Sequence, residues 1–145
     1  MAALTDYLEN KIIDWLLRAQ SYTPPATLYV GLLTAAPSDS SAGTEVSGGS
    51  YARVAVTAAT PSWNNTQGNT TGASTGTDGT TENAATVTFP APTANWGSVT
   101  HFGIYDASTS GNLLIQAALT TAKTINNGDA APSFAIGALT FQVDN

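Results

Sequence analysis

The chain has no cysteine among its 145 residues, so disulfides and thiolate metal sites are excluded. Charge is scarce too: Asp, Glu, Lys and Arg make up 10% of the chain, against about 25% in ordinary soluble domains. The basic residues are Lys11, Arg18, Arg53 and Lys123, and they form no stripe. With a net charge of −6, the chain has no source of sequence-independent phosphate affinity, and nucleic acid and anionic membranes repel it. No apolar run approaches the ~18 residues that span a bilayer. Asp6 and Glu9 come early, and the N-terminus does not read as a signal peptide.

What is present divides abruptly. Residues 4–20 carry the one helix-like pattern, with Lys11 and Arg18 in it; after them come Thr, Ala, Gly, Ser and Val. A chain of this length forms one domain, here residues 1–145, and buries roughly 68–70% of its unfolded surface without a staple. In the helix, Thr5 or Asp6 is placed to cap, with Glu9 three residues after Asp6. Leu4, Leu8, Ile12, Trp15 and Leu16 fall on one stripe, while Ile13 and Leu17 lie off it. The apolar arc is wider than one sheet needs. Either the helix sits in a two-walled groove of its own domain, or Ile13 and Leu17 meet another subunit. Pro24 and Pro25 end the segment, since proline disfavours helix in the residue before it.

The body, residues 26–145, reads as strands. Residues 27–33 (TLYVGLL) are rich in strand formers, and 35–50 form a loop. Residues 51–58 (YARVAVTA) alternate, which turns Ala52, Val54 and Val56 to the core and Tyr51, Arg53, Ala55 and Thr57 away from it. Residues 99–105 and 113–119 make the clearest hairpin, around a turn at 106–112. Shorter runs at 121–125, 133–136 and 138–143 complete a mainly β fold. The expected architecture is an antiparallel β-sandwich or open barrel with one N-terminal α-helix and a long polar loop.

That loop is residues 61–83, a low-complexity Thr/Asn/Gly tract with no aliphatic anchor after Trp63. It is expected to protrude, to become ordered against a partner, and to be flanked by a pairing of 54–58 with 85–89. Its Asn-x-Thr triplets at Asn64 and Asn69 read as chance in such a composition.

No catalytic, cofactor-binding or metal-binding residues emerge. His101 is the only histidine, and it lies beside Tyr105 on the strand face opposite Phe102 and Ile104. A triad or a zinc site would need partners the chain does not offer. Trp15, Trp63 and Trp96 are candidates for a carbohydrate platform, but core or subunit contact is the default for each. The candidate oligomer or docking contacts are therefore Ile13, Leu17 and Trp63.

Several segments carry a resemblance: TDYLENKIIDWLL, YTPPATLYVGLLTAAPSD, GTEVSGGSYARVAVT, VTFPAPTANWGSVTHFGIYDASTSGNLL and LTTAKTINNGD. Together they resemble a family of small virion proteins of tailed bacteriophages, often labelled tail-fibre-like. Similar small proteins decorate phage capsids as cement or head-fibre subunits. The resemblance covers residues 1–143 and is most specific at 45–53 and 96–105. It implies a non-enzymatic structural protein on the outer surface of the virion, assembled in the host cytoplasm without cofactors. The favoured expectation is a capsid decoration protein, most often trimeric, bound to the major capsid protein or other virion proteins. The alternatives are a tail-fibre or tail-tip component for host attachment, and a carbohydrate-binding domain.

Overall fold

The computed structural model describes residues 2–38 and 40–143. The chain opens with β1 (Ala3–Leu4) and α1 (Asp6–Leu17). There follow β2 (Thr27–Ala35), β3 (Thr44–Glu45), β4 (Val54–Thr57), β5 (Thr80–Glu82), β6 (Val87–Thr88), β7 (Gly97–Tyr105), β8 (Leu113–Ile125), β9 (Ser133–Phe134) and β10 (Thr140–Gln142).

The helix is shorter than its periodicity suggests. Leu4 is not in it, because β1 pairs with β8 through Ala3–Gln116 and Leu4–Ile115. Thr5 holds the junction. Its N–H donates to the Leu114 carbonyl and its hydroxyl to that of Leu113, so the hydroxyl makes no helix-capping bond. Asp6 and Glu9 still place acid in the first turn, where the helix dipole favours it. The helix stops at Leu17, and Ala19 turns the chain at a positive φ of 54° before the prolines are reached.

The main sheet has six strands, all antiparallel. The hairpin β7–β8 is its centre, β1 adds to the free edge of β8, and β2 adds to β7. β3 and β4 share the outer edge of β2, β4 against its first half and β3 against its end. Between them the Leu32 N–H would be orphaned, and the Tyr51 hydroxyl accepts from it at 2.9 Å. Two short ribbons, β5–β10 and β6–β9, lie in a second layer. Register aligns Val30 with Ile104, Leu32 with Phe102, Ile104 with Ile115 and Phe102 with Ala117. These side chains share one core with Val46 and Trp96 at the ends of β3 and β7 and with Val87, Phe89 and Leu139 from the ribbon segments. Phe134 wedges edge-on between Phe89 and Phe102. The antiparallel sandwich with one N-terminal helix is thus the fold.

Two strand expectations are corrected. Residues 113–125 form one continuous strand: Leu113–Ala118 and Lys123–Ile125 pair with β7 on either side of an irregularity at residues 119–122. Residues 54–58 do not pair with 85–89. Val54 and Val56 meet Val30 and Leu28 of β2, whose apolar face continues theirs, and Val87 pairs with Phe134.

Candidate docking surfaces

The helix is the first candidate. No residue of α1 is buried, and five large apolar side chains stand out: Ile12 at 37% exposure, Ile13 at 48%, Trp15 at 58%, Leu16 at 65% and Leu17 at 75%. The two-walled groove within its own domain is absent. Ile12, Trp15 and Leu16, expected in the core, face outward, because β1 and Thr5 fix only the start of the helix to β8 and its second half runs clear of the sheet. At spacings of three and four residues, Ile12, Trp15 and Leu16 share one face. Ile13 and Leu17 share another, about 100° round the axis. Among the described residues neither face has a partner, while the remaining side carries Asp14 and Arg18, paired at 3.4 Å, and Lys11 over the Tyr7 ring.

Trp63 lies elsewhere. It is half-buried against the core, bridges to Asn83, and forms one wall of a cleft of about 440 Å³. Leu28, Ala58, Ile104, Ile115 and Phe141 supply the apolar floor and sides, and the 64–74 loop supplies a rim of amides and hydroxyls. The Trp63 indole N–H is buried and has no acceptor among the described residues. Of the three tryptophans, only Trp96 is fully in the core, its N–H donating to the Gly49 carbonyl at 2.9 Å. The floor residues are far apart in sequence, and no local pattern could have gathered them.

The polar tract is not a bare protrusion. The Asn65 carboxamide oxygen accepts from the N–H groups of Gln67 and Asn69, and the Gly76 N–H donates to the Thr66 hydroxyl. Its far arm is β5, which pairs with β10 through Thr81–Phe141, and the Thr81 hydroxyl donates to the Asn64 carbonyl. The tract therefore divides. Replacing residues 67–77 by a short Gly-containing turn is expected to lower the melting temperature only slightly, because loop-closure entropy changes by about 0.6 kcal/mol per doubling of length. Extending the deletion through Thr81 removes β5 and should cost several times more; thermal melts of the two variants check this.

A half-buried cluster of charged and phenolic groups sits on the outer face of the sheet. Arg53 donates from Nε and Nη2 to the two oxygens of Glu45 at 2.8 and 2.7 Å. Its Nη1 donates to the carbonyls of Ala107 and Ser110 at 2.7 and 2.8 Å. The guanidinium lies 3.4 Å from the centroid of the Tyr105 ring, and the Tyr51 hydroxyl donates to Glu45 at 2.8 Å. Gly31 makes the room, since a Cβ there would meet Tyr105 at 2.9 Å. Tyr51, expected to point away from the core, is instead drawn in against Phe89 and Trp96, because β4 begins only at Val54; Arg53 lies on the sheet face opposite the core, as alternation placed it, over Tyr105. Both Glu45 oxygens, the Tyr51 hydroxyl and the Arg53 fork are paired, so the cluster is a clamp joining β3, β7 and the β7–β8 turn.

Burial pushes the Tyr105 phenol up to about 12; the Glu45 charge adds to this, and Arg53 opposes it. Burial also pushes Tyr51 well above the ordinary tyrosine range, opposed by its bond from the Leu32 N–H and reinforced by Glu45. Both groups are protonated in the fold at pH values where the unfolded chain ionises, so the fold holds more protons there and stability must fall as pH rises. We expect full stability below about pH 10 and progressive loss between about 10 and 12, at up to about 1.4 kcal/mol per pH unit for each phenol. Urea midpoints measured across that range check it.

His101 is half-buried, with Nδ1 2.8 Å from the Thr100 hydroxyl. Among the described residues no group of three His, Asp or Glu could hold a metal ion. No helix is long and apolar enough to cross a membrane among the described residues.

Compared with known families, residues 3–142 match the family described as podophage GP4 fiber I protein gp80. The chain belongs to that family. It is a structural protein of a tailed-phage virion, as the sequence resemblance implied. No curated protein matches it.

Proposed function

We propose that the chain is a non-enzymatic fibre-class subunit on the outside of the particle, held to other virion proteins by α1 and working as a homo-oligomer, with a trimer favoured. The observation that carries this is the helix itself: a wide apolar arc displayed on an element with no buried residue. A soluble monomer gains nothing from such a patch, whereas an assembly partner would bury it. Absence of catalysis is supported by a lone His101 with no acidic hydrogen-bond partner among the described residues and by an ionic cluster whose groups are mutually satisfied. The family's fibre description favours a fibre over a head-decoration role. Capsid decoration is the second reading, favoured by the 10% charged content, which leaves a weakly repulsive surface suited to close packing on a shell.

Quantitative mass spectrometry of purified particles separates the two. A small fixed copy number relative to the major shell protein is expected for the fibre. A copy number comparable with the shell protein would overturn it in favour of decoration.

A further inference from the structure

We propose that the Ile12–Trp15–Leu16 face of α1 seats in the Trp63-lined cleft of a second copy of this chain, in a head-to-tail contact. This deepens the homo-oligomer reading and rests on it. Each chain carries one such helix face and one such cleft, and neither is filled by its own fold. Anchors at i, i+3 and i+4 are how an amphipathic helix reads an apolar groove. A cleft of about 440 Å³ has room for an indole and an adjoining aliphatic side chain.

The chemistry of the cleft selects this occupant over a polar one. Among the described residues no charged side chain lines it. The rim amides are already engaged: Asn64 donates to Glu82, Asn65 to the Thr71 carbonyl and Asn69 to the Gln67 carbonyl. A saccharide would find mostly apolar walls, with the unpaired Trp63 N–H as its one buried donor, whereas the neutral face of α1 fills the apolar walls without needing hydrogen bonds. With that face seated, Asp14 and Arg18 on the far side of the helix stay in water, and Ile13 and Leu17 remain available to a different partner. A contact joining two different surfaces is heterologous and closes into a ring when its rotation allows, which suits a trimer.

Such a contact has a signature that a symmetric helix bundle lacks: a defective face and a defective cleft complement each other. One variant carries Trp15→Asp with Leu16→Asp. The other carries Ala59→Glu with Thr60→Glu, both exposed positions on the cleft wall. Circular dichroism establishes that each is folded, and analytical ultracentrifugation reads association. The expected result is that wild type associates, each variant alone loses self-association at least tenfold, and an equimolar mixture forms a dimer and nothing larger. If wild type associates and the cleft variant associates equally well, or the mixture stays monomeric, the face-in-cleft contact is wrong while the oligomer stands. A wild-type chain that is monomeric throughout overturns both.

Discussion

Changing Ile13 and Leu17 to Asp is expected to leave the melting temperature almost unchanged and to weaken attachment to the particle roughly a hundredfold or more. The first half of this follows from exposure: at 48% and 75% exposed, the two side chains contribute little to the fold, and surface changes of this kind stay within about 0.5 kcal/mol. The second half follows from the proposed docking, in which each aliphatic side chain buried is worth about 1.5–3 kcal/mol and about 1.4 kcal/mol is a factor of ten in affinity. Placing carboxylates in an apolar contact adds a desolvation cost. The measurement is binding of purified variant to particles stripped of the native subunit, alongside a thermal melt. A variant that unfolds would show that these residues belong to the domain's own core.

Replacing Arg53 with Ala should have the opposite profile: a large loss of stability and no specific effect on docking. The substitution leaves the Glu45 carboxylate without its bidentate partner and the Ala107 and Ser110 carbonyls without their donor. Removing one member of a buried pair costs about 3–5 kcal/mol, because the other charge remains desolvated; with Glu45 a quarter exposed, the lower end, about 3 kcal/mol, applies. For a domain of this size that lowers the melting temperature by roughly 10 °C or more. Lys should not rescue it, since a single ammonium cannot reproduce the planar fork that meets Glu45, the ring of Tyr105 and the turn together. A urea-derived loss under about 1 kcal/mol would make the pair an ordinary surface one.

The sequence made some of this legible and hid the rest for identifiable reasons. The hairpin β7–β8 could be read because Phe102 and Ile104 alternate and the Asp106–Asn112 turn is dense in turn formers; there the Asp106 carboxylate accepts from both the backbone and side chain of Asn112. The fold class followed from one helical period ahead of many strand periods. The pairing of β4 with β2 and of β6 with β9 depends on contacts between distant segments, which local alternation does not encode. The helix was recognised, but its surroundings were not: periodicity shows that Ile12, Trp15 and Leu16 share a face, not whether the domain has a surface to meet it. Alternation with Val54 and Val56 placed Arg53 on the outer face, where it lies, but did not show what it pairs with there. The signal available was an unusual arginine in a charge-poor chain with Glu45 eight residues before it.

The central claim is that α1, not the polar tract, attaches this subunit to its neighbours on the virion. Hydrogen-exchange mass spectrometry of the free chain and of the same chain in purified particles tests it most directly. The account predicts that amides of Asp6–Leu17 exchange rapidly in the free protein, where no helix residue is buried, and become strongly protected in the particle, with residues 75–79, outside the cleft rim, little changed. Unchanged exchange in the helix, with new protection confined to residues 67–77, would contradict it.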